Sequence, residues 1–406
     1  MTDIEFGKKV VMEAKRLQSE GRDANQTAKI LCDADPDACN YGIGIILNEQ
    51  GKAFRTSPLL IETMQEELNN STNGTYMNSM KIMDKVKESV LKWQRIPDKF
   101  WDRFVFCMPS DAGTGCVRTG LEYATIAQSA IAGIGVEELG WPAYKAIAKS
   151  LRLNIEEFPT ASVTDKGGFL PLYQAGPMNT TGAVMPPEVI EQRAAAASKS
   201  SQVVLLDRAY SGFEYAGELA SEGYDAIMQK SYTRNIKPFI SANTHFILAV
   251  SPTKAFGSFA LRPGGFLLVH VPDPDQRTEA QLLLNTLIRA RGSSFEHPAT
   301  RALARAMVNA ADTLESEHSQ ILQRMAAAEE IWNKFGTGTP IEQLFNENYA
   351  GLFRNPKADD NAAEGLYGTH LYPVLSAGRC RINITGIPSD EALAKLHVET
   401  FARFIM

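Results

Sequence analysis

Hydrophobic positions follow two different rhythms along this chain. At the N-terminus Val10, Val11, Ala14 and Leu17 recur at helical spacing, which predicts helix over residues 1–35. The stretch DADPDACNYGIGIILNEQGK then reads as a short apolar strand flanked by turn residues. Two helical segments follow from about 57 to 95, split by the turn-rich NNSTNGTYMNS. From about 103 the rhythm changes. RFVFCM, SQVVLLD, FILAVS and GFLLVHV are continuous apolar runs of strand length, separated by helical stretches such as GCVRTGLEYATIAQSAIAGI. Runs without polar alternation predict parallel strands covered on both faces. The expected architecture is a three-layer α/β domain, whose ligands gather outside the carboxyl ends of its strands.

Beyond His297-Pro298 an Ala-rich helical stretch runs to about Lys334. A loop, a strand pair ending in CRINITGI and a closing helix SDEALAKLHVETFARFI complete the chain, with Ser389 as the expected N-cap. The two chain ends, 1–55 and 313–406, are expected to form a smaller α/β domain beside a larger one of 56–312.

Composition narrows the chemistry. The 406 residues carry 41 Lys and Arg against 47 Asp and Glu, a net charge of −6, and no basic run. That argues against a nucleic-acid or anionic-membrane partner. No apolar stretch approaches the roughly 20 residues of a spanning helix. Cys32, Cys39, Cys107, Cys116 and Cys380 form no CxxC pair, and an odd number cannot all close into disulfides, so a reduced, cytoplasmic setting is expected. No His or Cys cluster has metal-ligand spacing, and no metal is expected.

Candidate chemistry therefore sits in the residues after the strands. FILAVS leads into SPTKAFGSFALRPGG, with Ser251, Lys254 and, eight residues after the lysine, Arg262. A lysine desolvated at a strand end is a competent amine nucleophile, and Ser and Arg beside it can hold a phosphate. SQVVLLD runs into RAYSGF, so Asp207 either caps the next helix or stabilises a cation, with Tyr210 donating alongside. Gly113, Thr114 and Gly115 open a helix and offer either a plain N-cap or an anion site. Trp141 can stack on a flat ring or fill a core; Asn179 offers an amide donor; Arg381 suits bidentate carboxylate binding.

Taken in order, GTG, GWPAY, NTTG, DRAY, SPTK with Arg at Lys+8 and a late-strand Arg resemble the fold-type I pyridoxal-phosphate aminotransferases, most closely the aspartate/aromatic (class I) branch. The resemblance covers nearly the whole chain. It implies a three-layer α/β/α large domain with a smaller domain from both chain ends, a homodimer with shared active sites, and transamination between amino acids and 2-oxo acids. It implies that Lys254 forms the internal Schiff base with pyridoxal 5'-phosphate and shuttles the proton. Asp207 would pair with the pyridinium nitrogen, Tyr210 and Asn179 with the phenolic oxygen, and Trp141 would stack on the ring. Gly113, Thr114, Ser251 and Arg262 would bind the phosphate, joined by Tyr76 from the other subunit.

For the substrate, the same resemblance implies that Arg381 clamps the α-carboxylate, with Arg379 as a fallback, and that Gly44 lines the pocket. Arg289 would cross the interface to a side-chain carboxylate, which favours aspartate, glutamate and 2-oxoglutarate; Arg291 is a second candidate and aromatic substrates stay open. Three departures stand out. Thr180 replaces a proline, Ala112 a phosphate-binding serine, and Tyr144 a histidine that commonly backs the Asp. A β-lyase, a decarboxylase or a non-catalytic PLP-binding regulatory protein would share fold and cofactor.

Overall fold

The computed structural model describes residues 2–70, 80–164, 166–293 and 296–406. Its strands are β1 Cys39–Asn40, β2 Phe104–Cys107, β3 Gly133–Glu137, β4 Asn154–Phe158, β5 Phe169–Gln174, β6 Val204–Arg208, β7 Phe246–Val250, β8 Phe266–His270, β9 Phe353–Arg354, β10 Leu371–Tyr372, β11 Val374–Ser376 and β12 Arg379–Asn383. The chain divides into a larger unit, Arg55–Gly176 with Met185–Ile321, and a smaller one, Met1–Phe54 with Pro177–Val184 and Leu322–Met406.

The larger unit is built on a seven-stranded sheet in the order β2-β8-β7-β6-β5-β3-β4. Every residue of β2, β3, β6, β7 and β8 is buried, as strands covered on both faces require. Helix Ala112–Ala127 lies on one face, where a Cβ on Gly120 would come within 2.9 Å of Ile247 and 3.0 Å of Leu205. Glycine there lets the helix backbone approach the sheet directly. Val117, Leu121, Leu205, Ile247 and Leu267 share one core cluster.

The sheet differs from the expected all-parallel pattern at one strand. β8 runs antiparallel to both β7 and β2. Between β7 and β8 the chain forms only the four-residue helix Pro252–Ala255, too short to carry it back along the sheet for a parallel crossover. Three strands also lie where no apolar run announced them. β3 is GIGVE, with two glycines; β5 is an interior strand containing Pro171; β4 is a largely exposed edge strand, NIEEF. Proline normally argues against a central strand, and charged edge strands lack an apolar run.

The smaller unit gathers distant segments. Residues 1–35 form two helices, Asp3–Ser19 and Ala24–Asp33, broken after Gly21 (φ 85°) and each opened by a capping box, Thr2 with Glu5 and Asp23 with Gln26. β1 pairs in parallel with β10, and β11, β12 and β9 form an antiparallel sheet. Asp35 accepts hydrogen bonds from Tyr372 Oη and from His370 Nδ1, both at 2.7 Å. Pro177–Val184 joins this unit through Val184 N–H to Asn348 O (2.9 Å) and Ala350 N–H to Gly182 O (2.8 Å). Asp390 caps the closing helix Glu391–Phe404 rather than Ser389: its carboxylate accepts from Leu393 N–H at 2.8 Å, and one position back a side chain cannot reach that N–H.

Arg354 is the central buried charge of the smaller unit. It is 1% exposed and donates to the carbonyls of Leu344, Ala350, Gly351 and Phe353, and to Glu329 Oε1 at 3.0 Å.

Candidate active site

The ends of β6 and β7 carry the main candidate residues of the larger unit. The two strands are parallel neighbours, with Asp207 opposite Ala249 and Arg208 opposite Val250. Ser251 N–H donates to Arg208 O at 3.2 Å, so the two chain exits leave the sheet side by side. Arg208 is fully buried; it donates to Ala175 O (2.8 Å) and Gln94 Oε1 (3.1 Å), and pairs with Glu214 at 3.5 Å. This network holds the turn that leads to Tyr210.

Asp207 is 7% exposed. Tyr144, in helix Ala143–Ser150, donates its hydroxyl to Asp207 Oδ2 at 2.5 Å. Burial disfavours the carboxylate charge more than this bond favours it, and the Asp207 pKa is pushed up to about 6. The half-buried Trp141 stands edge-on to the Tyr144 ring at 5.3 Å.

Beyond β7, Ser251 caps the short helix, its Oγ accepting from Thr253 N–H at 3.3 Å. Lys254 is half-buried, with Nζ 5.9 Å from the centre of the Tyr210 ring and 4.8 Å from that of Phe259. Tyr210 is 3% exposed and leans edge-on against Phe213. Arg262 is exposed and holds a left-handed backbone conformation (φ 42°) in the same connection.

Gly113 meets Ser251 directly. A Cβ added to this glycine would lie 2.8 Å from Ser251 Cβ and 2.9 Å from its Oγ, so only glycine lets the helix start sit against the end of β7. The preceding Asp111 and Ala112 are left-handed (φ 67° and 52°), and Asp111 makes no side-chain capping bond. The first-turn N–H groups around Gly113 and Thr114 thus face no capping carboxylate, as an anion site at a helix N-terminus needs.

The two candidate arginines near the end of helix Pro274–Gly292 differ. Arg291 is ion-paired with Glu122 at 2.6 Å. Arg289 is exposed and has no ion pair among the described residues; both arginines line a cavity of about 460 Å³ with Phe106, Ser110 and Asn285. Tyr76 lies outside the described residues, as do Ser294 and Phe295.

Asn179, Gly44 and Arg381 belong to the smaller unit. Asn179 is half-buried in a turn beside the buried Thr180, and Gly44 is exposed. Arg381, on β12, donates from Nη2 to Asn25 Oδ1 (2.7 Å) and Gly42 O (3.0 Å), and its guanidinium lies 4.6 Å from the Phe353 ring centre. Arg379 instead donates to Asn355 O at 2.8 Å. Asn25, Phe353 and Phe259 were not among the residues expected from sequence. Asn25 and Phe353 lie on elements with no chemical motif, and only folding brings them against Arg381; Phe259 lies within the Lys254 segment itself, five residues on, where a phenylalanine carries no chemical signal of its own.

These groups suit pyridoxal phosphate. An uncapped helix start packed on a serine suits its phosphate, a buried carboxylate suits its ring cation, and a lysine held between aromatic rings suits its aldehyde.

Comparison with known proteins agrees. Residues 40–331 match the family model for aminotransferase class I and II. No curated protein matches the sequence. The fold is similar to that of an aromatic-amino-acid aminotransferase from Burkholderia pseudomallei covalently bound to pyridoxal phosphate, at 18% identity, covering 94% of this chain and 96% of that one, with a TM-score of 0.77. It is likewise similar to the cytoplasmic aspartate aminotransferase of Giardia lamblia (15% identity, 94% and 95% coverage, TM-score 0.73). A broad-specificity aminotransferase from Leishmania mexicana gives 19% identity, 93% coverage of each chain and a TM-score of 0.73. The chain belongs to the class I and II aminotransferases, pyridoxal-phosphate-dependent enzymes that pass an amino group between an amino acid and a 2-oxo acid.

Proposed function

We propose that this aminotransferase exchanges the amino group of aspartate or glutamate, and of aromatic amino acids, with 2-oxo acids such as 2-oxoglutarate, using Lys254 to move the proton. The observation that carries this reading is the pairing of β6 and β7, which delivers Asp207 and the Ser251–Lys254 turn from neighbouring strand ends.

Bound pyridoxal phosphate supplies a ring that accepts the electrons left when the substrate Cα loses its proton. The protein's own groups do the rest. Gly113, Thr114, Ser251 and Arg262 bind the phosphate. Asp207 keeps the ring nitrogen protonated, Tyr210 and Asn179 hydrogen-bond the phenolic oxygen, and Trp141 covers the ring face. The Lys254 amine, half-buried beside the rings of Tyr210 and Phe259, would take the proton from Cα and deliver it to C4′ of the cofactor. Arg381 binds the α-carboxylate. Asn25 and Gly42 engage one of its terminal nitrogens and so limit how the fork can turn. Gly44 leaves room for the substrate beside it.

Arg289 is the proposed contact for a side-chain carboxylate, since Arg291 is already ion-paired with Glu122, a carboxylate it shares with Arg118. We place Arg289 and Tyr76 at a partner subunit's site in a homodimer. Ile61 and Leu68, one face of helix Pro58–Asn70, are 46% and 51% exposed and suit such an interface. No helix is long and apolar enough to cross a membrane among the described residues, and five unpaired cysteines favour a cytoplasmic setting.

The test is a half-reaction panel on the purified protein reconstituted with pyridoxal phosphate. Glutamate, aspartate and phenylalanine should each bleach the visible band, and 2-oxoglutarate should restore it. Borohydride reduction followed by peptide mapping should find the cofactor on Lys254. A band that none of these amino acids bleaches, or a label on another lysine, would refute the assignment.

A further inference from the structure

Tyr144 is the second residue of helix Ala143–Ser150, which packs against β3 and β4. Its side chain is 2% exposed, and its hydroxyl is bonded at 2.5 Å to a carboxylate that is itself buried. The ring meets Trp141 edge-on. Also around this pair are the Cys116 thiol from helix Ala112–Ala127, Tyr210 after β6, and Glu137 at the end of β3, the last neutralised by Arg193 at 2.8 Å.

We propose that Tyr144 is a positioning residue whose hydroxyl orients the Asp207 carboxylate and keeps it ionised for the protonated ring nitrogen of pyridoxal phosphate. The proposal rests on the cofactor assignment above and adds a group to it. A donor aimed at a carboxylate stabilises the charged form, and against a buried acid this is the force that opposes desolvation. Tyrosine suits the task because it is neutral. Burial and the adjacent Asp207 charge raise its own proton affinity well above that of a free phenol, so it stays a donor throughout the neutral range. It brings no positive charge to compete with the ring cation. Holding Oδ2 against Tyr144 also leaves Oδ1 as the oxygen available to a ligand.

The test compares two cofactors on the full chain by equilibrium binding, followed through tryptophan fluorescence: pyridoxal 5'-phosphate and its 1-deaza analogue, in which carbon replaces the ring nitrogen. Tyr144→Phe removes only the hydroxyl. Tyr144→Leu removes the donor with a different shape and carries the same expectation should the first variant not fold. The expected result is a Kd for pyridoxal phosphate raised about tenfold, the value of one hydrogen bond to a charged group, with the deaza Kd changed less than about twofold. Tyr144→His, which restores an N–H donor, should recover most of the lost affinity. Equal weakening of both cofactors would overturn the proposal in favour of packing, and so would an unchanged affinity for pyridoxal phosphate. A wild-type chain that binds neither compound would overturn the cofactor assignment itself, and this role with it.

Discussion

Asp207 in the larger unit and Arg354 in the smaller one are both buried charges, at 7% and 1% exposure, yet they are satisfied in opposite ways. Arg354 spends its guanidinium on four carbonyls and the Glu329 carboxylate, closing the turn before β9 onto the rest of its unit. Asp207 has the Tyr144 hydroxyl, and burial still outweighs that bond. A saturated buried charge holds a fold; an undersatisfied one at a strand end is held ready for a ligand that will complete it. The same contrast separates Arg208, tied into carbonyls and Glu214, from its immediate neighbour Asp207.

The sharpest separation of chemistry from stability comes from Lys254→Ala. Transamination should fall by about 10⁴-fold with loss of the proton carrier, while the melting temperature of the apoprotein stays within about 1 °C of wild type. Stopped assays with glutamate and calorimetry read the two quantities. Arg354→Met should do the reverse. Leaving Glu329 and four carbonyls without their cation costs about 3–5 kcal/mol in urea unfolding, with near-normal kcat in the fraction that folds. A stable but inactive Arg354→Met would break the comparison.

Asp207→Asn tests it with the opposite sign. The Asp207 pKa is about 6 when folded against 3.8 for an ordinary aspartate, so the folded chain binds the proton more tightly than the unfolded one. Its ionisation therefore costs stability as pH rises between about 4 and 6, and the full cost persists above that window. The apoprotein should gain about 3 kcal/mol at pH 8 from Asp207→Asn, a gain that vanishes below pH 4, while activity drops. Denaturant titrations at the two pH values check it; a destabilised variant at pH 8 would place Asp207 with the structural charges. The smallest effect is expected from Asn25→Ala, which frees the exposed side of Arg381: a KM for amino acids raised about 3–10-fold, with kcat and melting temperature unchanged.

How far the sequence could be read depended on distance along the chain. β6 and β7 were visible because each is an unbroken apolar run, and Asp207 and Lys254 were visible because each lies within a few residues of its strand's end. β5 was hidden by Pro171, and the direction of β8 by a connection whose helix is only four residues long. The donor on Asp207 comes from 63 residues away, and the amide on Arg381 from 356 residues away. The family pattern marks the Tyr144 position, where a histidine is common, but not what a tyrosine does there; nothing local marks Asn25, which sits in a helix of ordinary composition.

By itself, then, the sequence determined the class of fold, the order of the family's motifs and which lysine to propose as the reactive one. All three follow from spacing within short segments. The tertiary structure alone decided which buried charges are saturated and which are not, which of Arg289 and Arg291 is already paired, and which residues hydrogen-bond Asp207 and Arg381. Those are differences in desolvation and hydrogen bonding, and they exist only once remote segments exclude water from the same place.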